Sequence, residues 1–445
     1  MPEIASPPAS TLTPAKTARQ RTDTFTSIWM IIAVAMALVT LVVKNRMPQP
    51  LWTIIHLVTL GVLSNGIFQW SWFFARSLAR LSADDPRARR HNTIRILIFN
   101  ACFLLLFVSM WLGWMVGTMI AATGIAAVAA WHGAEMLLVL RERLASRFVI
   151  VVRYYVCSAS FFVLAALLAS FVSATMFSPS IPEAMVAMRD RLTLAHALSG
   201  VAGWVGLTIG GTVITLGPTI LRTRMSPDAV SGGVRVLLPW CLSLLLAIAG
   251  ALLGVMPLVG AGILAVGTCA IVGIVYPYAK VLRNKGPREY SAWSFLLGLL
   301  WISVGVCALG VASLFVSTPS QLRALTLMWL PIIGIAGFAQ LFQGALSYLM
   351  PVVIGGGPSV VRIGIAIIDW QYSLRLGLRN SALILELFLF FTSDSPSVHV
   401  LRMAGWFLVI ATFVIDVVIY AKTGVTQARA RRARSETLSE SRQVQ

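Results

Sequence analysis

Three of the five histidines, His56, His132 and His196, fall inside apolar runs long enough to cross a bilayer, and His56 and His196 lie at matching positions near the start of theirs. An ionisable side chain is costly to insert there, so each marks a candidate site. The run around His196, LTLAHALSGVAGWVGLTIGGTVITLGPTILRTR (Leu192 to Arg224), is also rich in glycine and ends at two arginines. Neutral imidazole ligates copper, iron or zinc, so a two-histidine site, a three-histidine site with His399, or axial haem ligation is chemically reasonable. In the alternative reading, each histidine hydrogen-bonds a neighbouring helix.

A second polar group is His132 with Glu135, three residues apart on one helical face. Arg153 begins the next apolar run at a similar depth and is the expected ion-pair partner of Glu135. A His–Glu proton path, or a ligand with the residue that orients it, is the other use of this site. Glu386 in SALILELFLFF and Asp416 in TFVIDVVIY are further intramembrane carboxylates. They suit a proton relay, substrate coordination or interhelical hydrogen bonding. His91 sits in a basic loop and is the weakest ligand candidate. Met110, Met115 and Met119, with Trp111 and Trp114, and the later Met176, Met185 and Met188, offer thioethers that suit Cu(I) or ordinary packing. Gln69, Gln340 and Gln343 are read as links between helices.

These residues need a membrane to be placed in. Of 445 residues, 58% are hydrophobic and 11% charged, against roughly 45–50% and about 25% in soluble domains. The chain is expected to be an all-α integral membrane protein. Runs near the ~20 residues needed to span hydrocarbon occur at 26–43, 51–75, 96–114, 116–140, 148–173, 192–221, 236–255, 258–282, 291–317, 324–354, 380–392 and 402–421. With both termini in the cytoplasm of a bacterial plasma membrane, only Lys44, Arg46, Arg189, Arg191, Arg323 and Arg402 fall outside, as the positive-inside rule requires. The net charge of +19 is thus a topology signal, and no basic cluster has the aromatic interleaving of a nucleic-acid surface. His56 then lies roughly 8 Å and His196 roughly 6 Å below the outer face, from the ~1.5 Å rise per residue.

Residues 1–25 read as a disordered cytoplasmic tail, 26–421 as the membrane domain, and 422–445 as a basic cytoplasmic tail touching anionic lipid. GGGP at 355–358 stops a helix, and about 358–378 reads as one interfacial helix, with Arg362, Ala366, Asp369 and Ser373 on its polar face. The short eleventh span extends back through Leu376, with Arg379 snorkelling to the interface. The five cysteines lie in apolar runs without C-x-x-C spacing, which predicts packing rather than disulfides or zinc. LTLAHALSGVAG (192–203) and LTLMWLPIIGIAG (325–337) form a faint repeat in which His196 stands opposite Trp329, and the His56 span sits four helices earlier. The implied plan is three blocks of four helices in a pseudo-threefold arrangement.

IIHLVTLGVLSNGIFQWS, VVRYYV, the His196 run and SYLMPVVIGGGP resemble the membrane-spanning region of actinobacterial copper oxidases and copper-type nitrite reductases, over about residues 50–380. More distantly, the plan is similar to haem–copper oxidase subunit I and to NnrS membrane proteins. That resemblance implies haem or copper as cofactor, with His56 at a low-spin haem-ligand position and His196 at a copper-ligand position. It also implies service in electron transfer, metal handling or anchoring of an extracytoplasmic copper oxidoreductase. Trp329 replaces a histidine of that pattern, the seventh span lacks a His-His pair, and cupredoxin domains do not follow, so a complete enzyme is not expected. The alternative function is a proton-coupled permease of a small molecule using Glu386, Glu135 and Asp416.

Overall fold

The structure, a computed structural model, describes residues 18–43, 49–82, 84–143, 149–177, 182–224, 227–284, 286–393 and 395–443. Most of the predicted N-terminal tail lies outside them. All regular elements among these residues are helices, because apolar side chains face lipid while each helix satisfies its own backbone polar groups. They are α1 (Ala18–Val43), α2 (Pro50–Leu78), α3 (Arg87–Leu112), α4 (Met115–Glu142), α5 (Val149–Met176), α6 (Met185–Ile220), α7 (Pro227–Leu253), α8 (Met256–Arg283), α9 (Tyr290–Ser313), α10 (Pro319–Ile354), α11 (Pro358–Ile368), α12 (Tyr372–Leu389) and α13 (Pro396–Gln443). Among the described residues, ten helices, α2 to α10 and α13, are long and apolar enough to cross a membrane. The chain is an all-helical, multi-span membrane protein. Helices α1 and α12 coincide with the other two expected spans, but the apolar part of α1 is only Phe25–Thr40, and α12 carries two buried arginines.

The chain forms two compact units divided in sequence between Ile209 and Gly210. Each contains a hairpin closed in the same way. In the first unit α3 ends at Gly113, with φ +66°, and Trp114 N–H donates to Ser109 O at 2.8 Å. In the second α7 ends at Gly254, with φ +75°, and Val255 N–H donates to Gly250 O at 2.8 Å. Both turns use glycine where a left-handed residue must satisfy the last helical carbonyls. Leu112-Gly113-Trp114-Met115 and Leu253-Gly254-Val255-Met256 are four predicted spans apart, the spacing of the repeat.

A second regularity concerns helical pitch. Spans α2, α6 and α10 contain π-helical segments of 8, 9 and 8 residues: Leu57–Ser64, Leu198–Gly206 and Ile332–Ala339. The other π segments, Arg87–His91 and Ile271–Val275, have 5 residues each. The three long ones begin one to three residues after His56, His196 and Trp329. Wider i→i+5 turns of this kind are rare and often accompany functional sites.

Small residues let the helices of the second unit approach closely, as expected between membrane helices. A methyl group on Gly298 of α9 would lie 2.4 Å from the backbone nitrogen of Leu341, and one on Gly344 of α10 would lie 2.4 Å from that of Phe295. Backbone cannot rotate aside as a side chain can. Gly298→Ala is therefore expected to cost about 1–3 kcal/mol by overpacking and to lower the midpoint of thermal unfolding in detergent; an unchanged midpoint would contradict this packing.

Near the C-terminus the structure corrects two expectations. The interfacial helix does not run from 358 to 378: α11 ends at Ile368, Gln371 has φ +49°, and α12 begins at Tyr372. Arg375 turns inward and donates to Trp370 O at 3.0 Å and to Ile368 O, taking up the carbonyls that would have continued the helix. Arg379 does not snorkel; it is 0% exposed. Helix α13 continues unbroken past the last apolar run to Gln443. Its extension covers the end of α10: Gln427 donates to Pro351 O at 2.7 Å, Arg431 to Ile354 O at 2.8 Å and Arg434 to Gly356 O at 3.0 Å. Carbonyls that a helix C-terminus leaves open are thereby paired, two of them by arginines, whose charge the helix dipole favours there.

Candidate functional site

The predicted site residues form two groups in the first unit and one in the second. In the first unit, α2 and α6 bring His56 and His196 together, with ring centres 6.1 Å apart and ring planes 11° from parallel. Both side chains are half-buried. His56 Nδ1–H donates to Trp52 O one turn back at 2.8 Å, and the ring stacks on Trp52 at 4.3 Å. His196 Nδ1–H donates to Ala165 O on α5 at 2.8 Å. Each ring is thus locked by a carbonyl on one nitrogen, which leaves the lone pair of Nε2 for another partner.

Imidazole nitrogens left open in this way are the donor type that copper or haem iron takes. Among the described residues no group of three or more His, Cys, Asp and Glu side chains is placed to hold a metal ion. His399 belongs to the second unit and is exposed near the start of α13. The thioethers are scattered in exposure, with Met110 buried while Met115 and Met188 are exposed. The described cysteines are free thiols; Cys102 packs on Gly124 and Cys307 on Gly267, as helix contacts rather than ligands.

The second predicted site is deeper in the same unit. His132 is 0% exposed and has Ser71 Oγ 3.3 Å from Nε2. Glu135 does not pair with Arg153, as expected, but with Arg95 of α3, and it accepts from His91 Nδ1 at 2.7 Å and Trp131 Nε1 at 2.9 Å. The partner thus comes from α3, where the sequence placed Arg95 in a loop. Nearby, Asn100 donates to Asn65 Oδ1 at 2.7 Å and accepts from Trp29 Nε1 at 2.6 Å, tying α1, α2 and α3 together. Beside this end of α3, Arg87 holds the Asp85 carboxyl below its usual range by a hydrogen bond.

In the second unit Asp416, 0% exposed, accepts from Arg375 and Arg379 of α12, and from the Tyr290 hydroxyl of α9 at 2.6 Å. Arg379 also donates to Gln343 Oε1 of α10 at 2.8 Å and to Thr412 Oγ1 at 3.1 Å. The expected interhelical role of the glutamines holds for Gln343 and for Gln340, which exchanges hydrogen bonds with Asn380 at 3.2 and 3.1 Å. Two guanidiniums and the Tyr290 hydroxyl thus hold the Asp416 carboxylate from two other helices. Asp416 is therefore built as an anchor, whereas Glu386, 5% exposed and lying against Gly405, keeps Oε1 buried without a hydrogen-bond partner. Arg95, Arg375 and Arg379 are the site residues that sequence reasoning missed. The signal was the i, i+4 spacing of Arg375 and Arg379 ahead of a span holding a lone aspartate.

The chain matches no family model and no curated protein.

Proposed function

We propose that this protein is a membrane-embedded haem- or copper-binding protein whose ligands are His56 and His196, acting in electron transfer, in metal handling, or as the anchor of an extracytoplasmic copper oxidoreductase. The observation that carries the reading is the paired imidazoles, each oriented by a backbone carbonyl and each with Nε2 free to bind. Two nitrogen donors without a third suit Cu(I), or an iron whose remaining ligands come from a porphyrin.

The proposed topology is twelve spans with both termini cytoplasmic, in a bacterial plasma membrane, which puts the histidine pair near the outer face. Three blocks of four helices are supported by the long π segments of α2, α6 and α10 and by the matching glycine turns after α3 and α7. On this plan Trp329, buried and packed against Phe390 at 5.8 Å, fills with carbon the place a third histidine would take.

Purified protein is expected to carry a visible haem spectrum or about one copper per chain. Well-folded, colourless, metal-free protein that does not take up either group would refute the reading. The permease alternative rests on the unpartnered oxygen of Glu386; proton-driven uptake by proteoliposomes, abolished by Glu386→Gln, would favour it.

A further inference from the structure

Three buried polar atoms in the first unit lack a hydrogen-bond partner and belong to side chains in mutual contact: His132 Nδ1, Trp72 Nε1 and Arg95 Nε. The Trp72 ring centre is 6.2 Å from the His132 ring centre and 5.0 Å from Arg95 Cζ. All three side chains are at most 1% exposed. Leaving so many polar groups unsatisfied in one place is costly, and native interiors avoid it by enclosing water.

We propose that α2, α3 and α4 enclose a bound water at this point, accepting from Trp72 Nε1–H and Arg95 Nε–H and donating to His132 Nδ1. Three bonds are typical of a buried water. The arrangement fixes the histidine tautomer, because an acceptor Nδ1 requires the proton on Nε2, where Ser71 Oγ accepts it at 3.3 Å. Charge selects water over an anion: Arg95 is already neutralised by Glu135, so a negative occupant would be an unpaired charge. With the water in place, hydrogen bonds run without a gap from Ser71 and His132 through Arg95 and Glu135 to His91, whose side chain is 39% exposed. This site is separate from the His56 and His196 pair, and its test does not require a metal.

Nitrogen NMR of histidine- and tryptophan-labelled full-length protein in lipid nanodiscs tests it. The expected result is an Nε2–H tautomer for His132, a cross-peak between the Trp72 indole N–H and long-lived water, and no change when chloride is replaced by gluconate. Trp72→Phe should shift the His132 Nδ1 resonance and leave the tautomer intact. An Nδ1–H tautomer, a dry indole, or spectra that follow chloride would overturn the proposal.

Discussion

Asp416→Asn is expected to be among the most destabilising single substitutions in the chain. The change leaves Arg375 and Arg379, both buried, without the carboxylate that faces them, and breaking one side of a buried ion pair costs about 3–5 kcal/mol. The Tyr290 hydroxyl loses a charged acceptor in the same step. Because α9, α10, α12 and α13 all contribute to the cluster, the loss should appear as a large drop in the unfolding midpoint in detergent, and as reduced yield of folded protein. Replacing Arg375, Arg379 and Asp416 together with apolar residues of similar volume should recover much of the stability, since no charge is then left buried alone. A single Asp416→Asn variant as stable as the parent would show that the cluster is not formed.

His56→Ala and His196→Ala should each remove the bound metal or haem, and the double variant should be no worse than either alone. Two ligands hold one centre, so losing one leaves a single imidazole. The fall in affinity should exceed the ~10–100-fold that loss of a mere supporting group costs. Folding should survive better than in the Asp416 variant, because both histidines are half-buried and their Nδ1 bonds are to carbonyls that water can reach more cheaply than it can reach a guanidinium in the core. Metal retention in either single variant, with the expression and unfolding midpoint of the parent, would place the ligands elsewhere.

The spans were legible because a run of some twenty apolar residues has few other uses. The nearness of His56 and His196 was legible too, since each stands at a similar position in its apolar run. The long π segments were not, since hydropathy reports composition and is blind to whether a carbonyl is taken by the fourth or the fifth residue on. Arg379 was misread for a physical reason: an arginine near the end of a span usually snorkels, and only its turn-mate Arg375 together with a lone aspartate on α13 reverses that expectation. Arg95 was left outside the third span because α3 starts at Arg87, nine residues before the apolar run at 96. The break at Asp369–Gln371 depends on where Arg375 points, which no local pattern encodes.

X-ray absorption at the edge of the metal that co-purifies with the wild-type chain tests the central claim most directly. The account predicts scattering from two imidazole nitrogens at about 2.0–2.1 Å, alone for copper or joined by four porphyrin nitrogens for haem iron. A centre without imidazole scattering, or wild-type protein that binds neither copper nor haem, would contradict it.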